Sequence, residues 1–332
     1  MWAKRFALRF GSAICCPCVT VNTKILGKTP YKVELKCDLD WDTWLEYSKM
    51  NYRFLYWGLS LLCISFCACD KDENNNSNNF ATGIVELPAL RNGANDVFVT
   101  HCTTFNGQKV TSFSMEYDKS KKHSRWVAFR FDNQTRLQGA TRGDNFIPDP
   151  SLDTEYQRTQ VDFGKKGYDR GHLCASADRL YKQDANDQTF YYTNMSPQRN
   201  NFNTGVWLAL EGQVQSWGRS CTASDTLYVV KGGTIDKEEQ VKEYIGGDRS
   251  KPVPKYYYMA LLFKKGDSFK AIAFWMEHTD SKPSKTIKLV DYALSIDELE
   301  EKTGIDFFPN LNDNLENALE ATYSTKAWSG LE

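Results

Sequence analysis

Residues 168–173 (Tyr-Asp-Arg-Gly-His-Leu) combine side chains that can cleave a phosphodiester bond. Such a hydrolysis needs a base that takes a proton from water, and cations that balance the negative charge developing on the phosphate. His172 can act as the base, because an unperturbed imidazole titrates near neutrality. Arg170 can form a bidentate contact with a phosphate. Gly171, which separates the two, would allow the backbone to approach the substrate closely.

Two further segments supply amide and carboxylate groups at a defined spacing. Residues 194–198 read Asn-Met-Ser-Pro-Gln, and residues 203–211 read Asn-Thr-Gly-Val-Trp-Leu-Ala-Leu-Glu. An amide oxygen is a suitable ligand for Mg²⁺, a hard cation that keeps most of its waters. On one regular helix the spacing from Asn203 to Glu211 is an offset of about 80°, so both side chains can face the same cleft.

Together these motifs closely resemble those of the DNA/RNA non-specific endonucleases. Asp-Arg-Gly-His is followed by Asn-x-x-Pro-Gln and then by Asn-x-Gly-x-Trp-x-x-x-Glu. The family consists of ββα-metal (His-Me finger) nucleases related to mitochondrial endonuclease G, and the resemblance extends over about residues 98–308. It implies an α+β fold with a central antiparallel sheet flanked by helices. It also implies a Mg²⁺-dependent, sugar-non-specific endonuclease that cuts DNA and RNA and leaves 5′-phosphate and 3′-hydroxyl ends.

The resemblance also implies roles for three residues around the metal. His172 would be the general base, and Asn203 would be the direct ligand of Mg²⁺, for which Mn²⁺ could substitute. Glu211 would hold a metal-bound water. Each residue has a plainer alternative. His172 could be a structural histidine, Asn203 could only cap the N-terminus of a helix, and Glu211 could be a solvated helix residue.

Three other residues would act on the phosphate or on the base. By the same resemblance, Arg170 and Arg142 would brace the scissile phosphate. Asn194 would order waters or the loop that carries the histidine. Arg142 lies in a loop-like segment, residues 141–146, and its alternative is an ordinary surface charge.

The overall composition limits how nucleic acid could be attracted. The 332-residue chain carries 41 Lys and Arg against 42 Asp and Glu, a net charge of −1. Without bulk positive charge, contact with a polyanion depends on a local cluster or a metal ion. The mean hydropathy of −0.55 excludes a polytopic membrane protein.

The N-terminal part of the sequence predicts export. Residues 54–68 form an uncharged apolar run, which is short for a membrane-spanning helix and typical of a signal peptide. Met50 stands just upstream, so we expect residues 1–49 to be a mis-assigned extension; a genuine extension is the alternative. The run ends at Ala68-Cys69, which resembles a bacterial lipobox.

We therefore expect a lipoprotein-type signal peptide over residues 50–69, with a lipid anchor at Cys69. Residues 70–80, acidic and then rich in Asn, would form a flexible tether. The expected location is the outer membrane or the cell surface. An ordinary secretory signal would instead leave the protein periplasmic or secreted.

Residues 81–332 predict one domain of mixed α and β structure. Apolar spacing between residues 206 and 217 predicts a helix. Ser295 and Glu298 form a capping box that opens another helix, which ends before Gly304. Since no regular βαβ alternation is present, the sequence favours α+β. Runs rich in β-branched and aromatic residues predict strands at 126–131, 227–230, 256–263 and 269–275.

The remaining cysteines and histidines of this domain show no catalytic pattern. Cys174 could form a disulfide with Cys221 in an oxidising compartment, or both could remain thiols. His101, His123 and His278 are expected to be structural or surface residues.

Two other functions stay open at this point. One is a phosphodiesterase of other specificity on the same scaffold. The other is a non-catalytic surface lipoprotein that binds nucleic acid.

Overall fold

The structure is a computed structural model. It describes residues 83–331 except 165–166, 247–248 and 283–285, together with the backbones of 19–24 and 32–37. The chain divides into two units, Met1–Asn78 and Asn79–Glu332. In the first unit, strands β1 (Val19–Lys24) and β2 (Lys32–Cys37) pair antiparallel.

The predicted export segment is not covered by this description. The signal peptide at 50–69 and the tether at 70–80 lie outside the described residues, and residues 1–49 are described only in the two strands above. No helix in the described part of the chain combines the length and apolar character needed to cross a membrane.

The second unit is built on a seven-stranded antiparallel sheet, as the α+β prediction required. Its order is β13-β12-β11-β8-β5-β4-β3, while β6 pairs with β7 and β9 pairs with β10 in two separate ribbons. The four predicted strands are confirmed as β5, β8, β11 and β12. The strands of this unit are β3 (Asp96–Phe105), β4 (Gln108–Asp118), β5 (His123–Phe131), β6 (Asp169–His172), β7 (Met195–Gln198), β8 (Asp225–Gly233), β9 (Val241–Ile245), β10 (Lys251–Pro254), β11 (Tyr256–Lys265), β12 (Ser268–Glu277) and β13 (Ala293–Leu294).

The α-helices have three to eight residues, apart from one of 12 residues that packs against the sheet. The α-helices are α1 (Val161–Gly164), α2 (Gln183–Gln188), α3 (Asn200–Phe202), α4 (Leu208–Arg219), α5 (Ile296–Thr303) and α6 (Asp313–Glu320). A π-helical turn (Asn203–Trp207) joins α3 to α4. Single 3₁₀ turns lie at Thr154–Tyr156, Ser176–Arg179, Tyr192–Asn194, Glu238–Gln240, Leu289–Tyr292 and Thr325–Ala327.

The predicted capping box opens helix α5. The Ser295 hydroxyl accepts a hydrogen bond from the Glu298 amide at 3.1 Å, and the Ser295 amide donates to the Glu298 carboxylate at 2.8 Å. The helix ends at Gly304, whose φ of 73° lies in the left-handed region that glycine adopts without strain.

Strand β5 is buried on both faces and divides the core into two layers. Val127 and Phe129 point into the cluster that receives Leu210 and other apolar residues of α4. The alternate residues, Trp126 and Ala128, belong to the opposite cluster, which α5 and α6 cover. This alternation follows from the two-residue period of a strand. The sheet is therefore covered by helices on both sides.

Neighbouring strands β5 and β8 are far apart in the sequence. Trp126 lies opposite Gly232, and residues 132–224 connect the two strands. This connection contains the β6–β7 ribbon and helices α1 to α4. All six residues predicted to form the site lie within it.

The packing of α4 against the sheet depends on a small residue. A Cβ atom at buried Gly218 would lie 2.4 Å from the ring of Phe131, whereas one at exposed Gly212, on the same helix, would meet nothing within 4 Å. We expect Gly218→Ala to lower the free energy of unfolding by about 1–3 kcal/mol through overpacking. Urea unfolding measures the loss.

Gly212→Ala is the matched control for this substitution. It should be neutral, or stabilising by up to about 1 kcal/mol, because alanine favours the helix. If both variants showed the same change, helix propensity rather than contact with the sheet would explain it.

Candidate active site

The antiparallel β6–β7 ribbon brings the first two motifs together. Asp169 lies opposite Gln198, and His172 lies opposite Met195. A Cβ atom at Gly171 would be 2.1 Å from the side-chain Oε1 of Gln198, which is fully buried. Glycine is therefore required here to accommodate Gln198. This differs from the expected role of Gly171 in close approach to the substrate.

The His172 ring packs edge-on among two phenylalanines. Its centroid is 5.8 Å from that of Phe146 and 5.0 Å from that of Phe190, and the two phenylalanine centroids are 5.0 Å apart. Nε2 of His172 is buried and has no hydrogen-bond partner among the described residues. These contacts fix the imidazole plane without a polar partner on this nitrogen.

Burial lowers the pKa of His172 to about 3, and the positive charges of Arg142, Lys231 and Arg170 act in the same direction. The imidazole is therefore neutral at physiological pH in the substrate-free protein. This corrects the expectation of titration near neutrality. The neutral ring still has a lone pair that can accept a proton.

Both predicted phosphate-binding arginines stack on the same pair of rings. The guanidinium carbon of Arg170 is 3.5 Å from the Phe146 centroid, and that of Arg142 is 5.4 Å from the Phe190 centroid. Both arginines line one cleft of about 400 Å³. Phe146 and Phe190 thus place the base and two cations together. Sequence reasoning missed this role, which depends on ring contacts and not on a motif.

Asp169 links the ribbon to the start of the third motif. Its Oδ2 accepts hydrogen bonds from the side-chain amides of Asn200 and Asn203, each at 3.0 Å. Because an ionised carboxylate only accepts, this contact turns the NH₂ group of Asn203 toward Asp169 and leaves Oδ1 without a hydrogen bond among the described residues. The capping alternative is wrong, since Asn203 has helical backbone angles and its side chain caps no helix. Asp169 is a positioning residue that sequence reasoning did not single out.

The backbone from Asn203 to Glu211 is not one regular helix. Asn203 lies in the π-helical turn, within which Gly205 has φ −102° and ψ −110°, outside the helical range. The offset of about 80° assumed for a regular α-helix therefore does not apply. Turns of this kind inside helices occur often at functional sites.

Glu211 is buried in a group of three charges. Lys231, on β8 and fully buried, donates to Glu211 Oε1 at 3.1 Å and to Asp178 Oδ2 at 2.8 Å. Burial raises the pKa of Glu211, and Lys231 opposes the rise. The alternative of a solvated helix residue is wrong. Lys231 and Asp178 carried no sequence motif that would have revealed them.

Asn194 supports the backbone beyond the histidine. It is fully buried; its Oδ1 accepts from the Cys174 amide at 2.9 Å, and its Nδ2 donates to the carbonyls of Cys174 at 2.8 Å and Thr189 at 2.7 Å. Both amide hydrogens are therefore used within the protein. Of the two predicted roles, the structure supports the ordering of the histidine loop. Asn194 is a positioning residue.

The other cysteines and histidines are structural. Cys174 and Cys221 are buried free thiols, so of the two alternatives left open by the sequence the structure has the thiols and not the disulfide. Burial raises the pKa of both, to about 11 for Cys221, which makes them poor nucleophiles. Three histidines are also buried, and each forms at least one hydrogen bond through a ring nitrogen: His101, His123 and His278.

The donor atoms of the site fit a hard divalent cation with few protein ligands. Asn203 offers a neutral amide oxygen, and Glu211 has a second carboxylate oxygen not used by Lys231. Among the described residues, no group of three His, Cys, Asp or Glu ligands forms in this cleft. A metal held here would keep most of its coordination for water and substrate oxygens, which is typical of Mg²⁺.

Comparison with known proteins identifies the family. The model of the DNA/RNA non-specific endonuclease family matches residues 93–314. The chain belongs to this family. As a DNA/RNA non-specific endonuclease, it is an enzyme that hydrolyses phosphodiester bonds, and nucleases of this family generally depend on a metal ion.

Several nucleases resemble this endonuclease over 60–63% of its chain. A nuclease of Nostoc sp. (strain PCC 7120 / SAG 25.82 / UTEX 2576) is 30% identical over 217 residues, covering 63% of this chain and 75% of that protein. Endonuclease G, mitochondrial, of Homo sapiens is 28% identical and covers 60% of this chain and 68% of its own. Nuclease EXOG, mitochondrial, of Danio rerio is 29% identical over 60% of each chain.

A solved structure confirms the fold. The chain matches a crystal structure of the EndoG/EndoGI complex with a TM-score of 0.54 and 21% identity, over 65% of this chain and 88% of the other. The predicted ββα-metal nuclease fold is therefore confirmed for this endonuclease.

Lys231→Met tests the buried charges next to the site. Removing the cation leaves Glu211 and Asp178 buried together, and we expect the free energy of unfolding to fall by about 3–5 kcal/mol at pH 8. The folded-state pKa of Glu211, already raised above 4.5, rises further without Lys231. Protonation of Glu211 at low pH removes its unpaired charge, so the loss of unfolding free energy should be smaller at pH 5 than at pH 8. Urea unfolding at both values measures it.

Adding Glu211→Gln to Lys231→Met provides the control. The double variant should recover part of the loss at pH 8 and show a weaker pH dependence. A loss of the same size at both pH values in the single variant would contradict this explanation.

Proposed function

We propose that this endonuclease is a Mg²⁺-dependent, sugar-non-specific enzyme that uses His172 as a general base on DNA and RNA. The observation that carries the proposal is the hydrogen bond from Asn203 to Asp169. It connects the strand that holds Arg170 and His172 to the residue whose free amide oxygen suits a metal. The base, the phosphate-binding cations and the metal ligand thereby belong to one site.

His172 supplies the proton acceptor. Because Nε2 is buried, Nδ1 is the nitrogen that can accept a proton from water. Phe146 and Phe190 hold the ring in place while the water oxygen attacks phosphorus. The imidazole is a weak base in the free enzyme, since its pKa is lowered by burial and by neighbouring cations. A bound phosphate opposes those cations, so substrate binding raises the basicity of His172 where it is needed.

Arg142 and Arg170 bind the phosphate. Their guanidinium groups lie on the walls of the same cleft and are preorganised by the aromatic rings beneath them. Positioned cations stabilise the charge that develops on the phosphate oxygens. Contacts with the backbone carry no direct information about base sequence. A site built from such contacts is consistent with low sequence specificity and with cleavage of both DNA and RNA.

Asn203 would hold the metal through Oδ1, and Glu211 would orient a water of its coordination sphere. When bound, Mg²⁺, or Mn²⁺ in its place, would supply Lewis-acid stabilisation of the phosphate and of the leaving oxygen. Lys231 favours the ionised form of the Glu211 carboxylate and orients it, and Asp178 holds Lys231 in place. Asp169 keeps the amide oxygen of Asn203 available.

A substrate panel distinguishes this function from the alternatives. The purified protein should degrade plasmid DNA and RNA in Mg²⁺, and EDTA should stop both reactions. Cleavage of small diesters with no cleavage of polymers would indicate a phosphodiesterase of other specificity. Retention of nucleic acid without cleavage in Mg²⁺ would indicate a binding protein.

His172→Ala tests the general base. The variant should lose activity by about 10²–10⁴-fold, the range that general base catalysis provides. The variant should fold but melt at a lower temperature than the wild type, because removing the ring leaves a cavity between Phe146 and Phe190. Initial rates on plasmid DNA at saturating Mg²⁺ measure the effect. Near-normal turnover by a well-folded variant would exclude His172 as the base.

Asn203→Ala tests the metal ligand, and Asn200→Ala is its matched control. Both amides donate to Asp169 Oδ2 at 3.0 Å, but only Asn203 is assigned to the metal. Asn203→Ala should abolish most activity and shift the Mg²⁺ dependence to higher concentration, whereas Asn200→Ala should have a small effect. Glu211→Gln should be milder than Asn203→Ala, since it acts through water.

A Mg²⁺ titration of initial rates compares the variants. If Asn200→Ala were as damaging as Asn203→Ala, the shared contact with Asp169 would be the function of both residues. The role of Asn203 as a ligand would then be withdrawn.

We also propose that the protein is exported and anchored to a membrane at Cys69. The support is the apolar run at 54–68, Ala68 before Cys69, and the Asn-rich segment that follows. Buried acyl chains contribute roughly 0.8 kcal/mol per CH₂ group, so a lipidated protein should fractionate with membranes. Labelled palmitate should appear on the wild type, and Cys69→Ser should abolish both the labelling and the membrane association. A wild-type protein found free and unlipidated in the medium would indicate a plain secretory signal.

A further inference from the structure

Three carboxylates meet on the face of the sheet opposite the candidate active site. Asp297 and Glu300 are three residues apart on helix α5, a spacing that places them on one face of the helix. Glu320 is the last residue of helix α6. One carboxylate oxygen from each residue lies within 4.8 Å of the others. Three acidic side chains from the two helices therefore lie close together.

One oxygen atom of the Glu320 carboxylate is buried without a hydrogen-bond partner in the described part of the chain. The residue is only 7% exposed, and its Oε1 is buried without a hydrogen-bond partner among the described residues. An ionised carboxylate in this situation is unfavourable unless a cation approaches it. Its position at the C-terminal end of a helix adds the repulsion of the helix dipole.

The charged neighbours of Glu320 and Glu300 also disfavour ionised carboxylates in this cluster. Burial raises the pKa of Glu320 to about 8, and the largest contributions from neighbouring charges come from Glu300, Glu316, Asp297 and Asp306, which raise it further. Burial also raises the pKa of Glu300 to about 7, and acidic neighbours add to the shift. The Phe307 amide opposes this shift through a hydrogen bond to Glu300 Oε1 at 2.7 Å, but the charged groups that act most strongly on the cluster are acidic. A positive ion would therefore complement it.

We propose that Asp297, Glu300 and Glu320 bind a calcium ion that joins the end of α6 to α5. The donors are carboxylate oxygens, which hard cations prefer. Ca²⁺ accepts six to eight oxygen ligands in flexible geometry, whereas Mg²⁺ demands a near-ideal octahedron. Asp297 is exposed and Glu300 is half-buried, so water can complete the coordination. The site is structural, and it is separate from the catalytic metal.

The test uses the whole chain, freed of metal with EDTA and dialysed, with Ca²⁺ as the probe. Wild type, Glu320→Gln and Glu301→Gln are titrated by calorimetry and unfolded by heat with and without Ca²⁺. Glu301→Gln is the control, because this substitution removes one negative charge from an exposed position of α5 outside the cluster. The cleft is unchanged in all three proteins, so any binding there contributes equally.

Wild type and Glu301→Gln should each bind one more Ca²⁺ per chain than Glu320→Gln. A hundredfold excess over Kd should raise their melting temperatures by roughly 5–10 °C. At a pH above about 8, where Glu320 is ionised, Glu320→Gln without Ca²⁺ should melt above the wild type because it removes repulsion. With Ca²⁺ it should melt below the wild type. Equal Ca²⁺ uptake by wild type and Glu320→Gln, or no stabilisation of the wild type, would overturn the proposal.

Discussion

The carboxylate of Asp169 joins the two parts from which the site is assembled. One part is the β6–β7 ribbon, which holds Arg170 and His172, and the other is the helical segment that begins at Asn200. Asp169 Oδ2 accepts an amide hydrogen bond from Asn200 and another from Asn203. Since a carboxylate cannot donate, the same contact decides which atom of Asn203 remains available. A single acceptor thus fixes both where the Asn203 side chain lies and which of its atoms faces away from Asp169.

The remaining side chains of the site are held by aromatic and charged contacts rather than by motifs. Phe146 and Phe190 pack around His172 and beneath Arg142 and Arg170. This arrangement places cations beside a buried imidazole and lowers its pKa. The free enzyme therefore has a cluster of positive charge beside the imidazole. In the proposed mechanism an anionic substrate would oppose this charge, which would couple substrate binding to the basicity of His172.

The sequence predicted the family, the main strands and the six candidate residues, because these depend on local pattern. Strands β5, β8, β11 and β12 were recognisable as dense runs of β-branched and aromatic residues. The β3–β4 hairpin was missed, although its turn, Asn106-Gly107, has positive φ values of 50° and 79° and is a common hairpin turn. These two strands are interrupted by polar residues, so composition alone did not reveal them.

Other features could not be predicted, because they arise between distant parts of the chain. The charge group around Glu211 requires Lys231 from strand β8, and the orientation of Asn203 requires Asp169 from the ribbon. The π-helical turn invalidated the regular-helix argument, because Asn203 lies in that turn and Glu211 lies in α4. Local spacing identified the residues but not their surroundings.

The order of strands in the sheet has a consequence for synthesis of the chain. Neighbouring strands β5 and β8 enclose residues 132–224, which contain both motifs, and closing so long a connection has an entropic cost that must be met before the sheet forms. A nascent chain that has not yet emerged through β8 already contains every candidate catalytic residue. It lacks Lys231, which holds Glu211, and β8, one of the two strands with which β5 pairs. The surroundings of Glu211 are therefore completed only when β8 has joined the sheet.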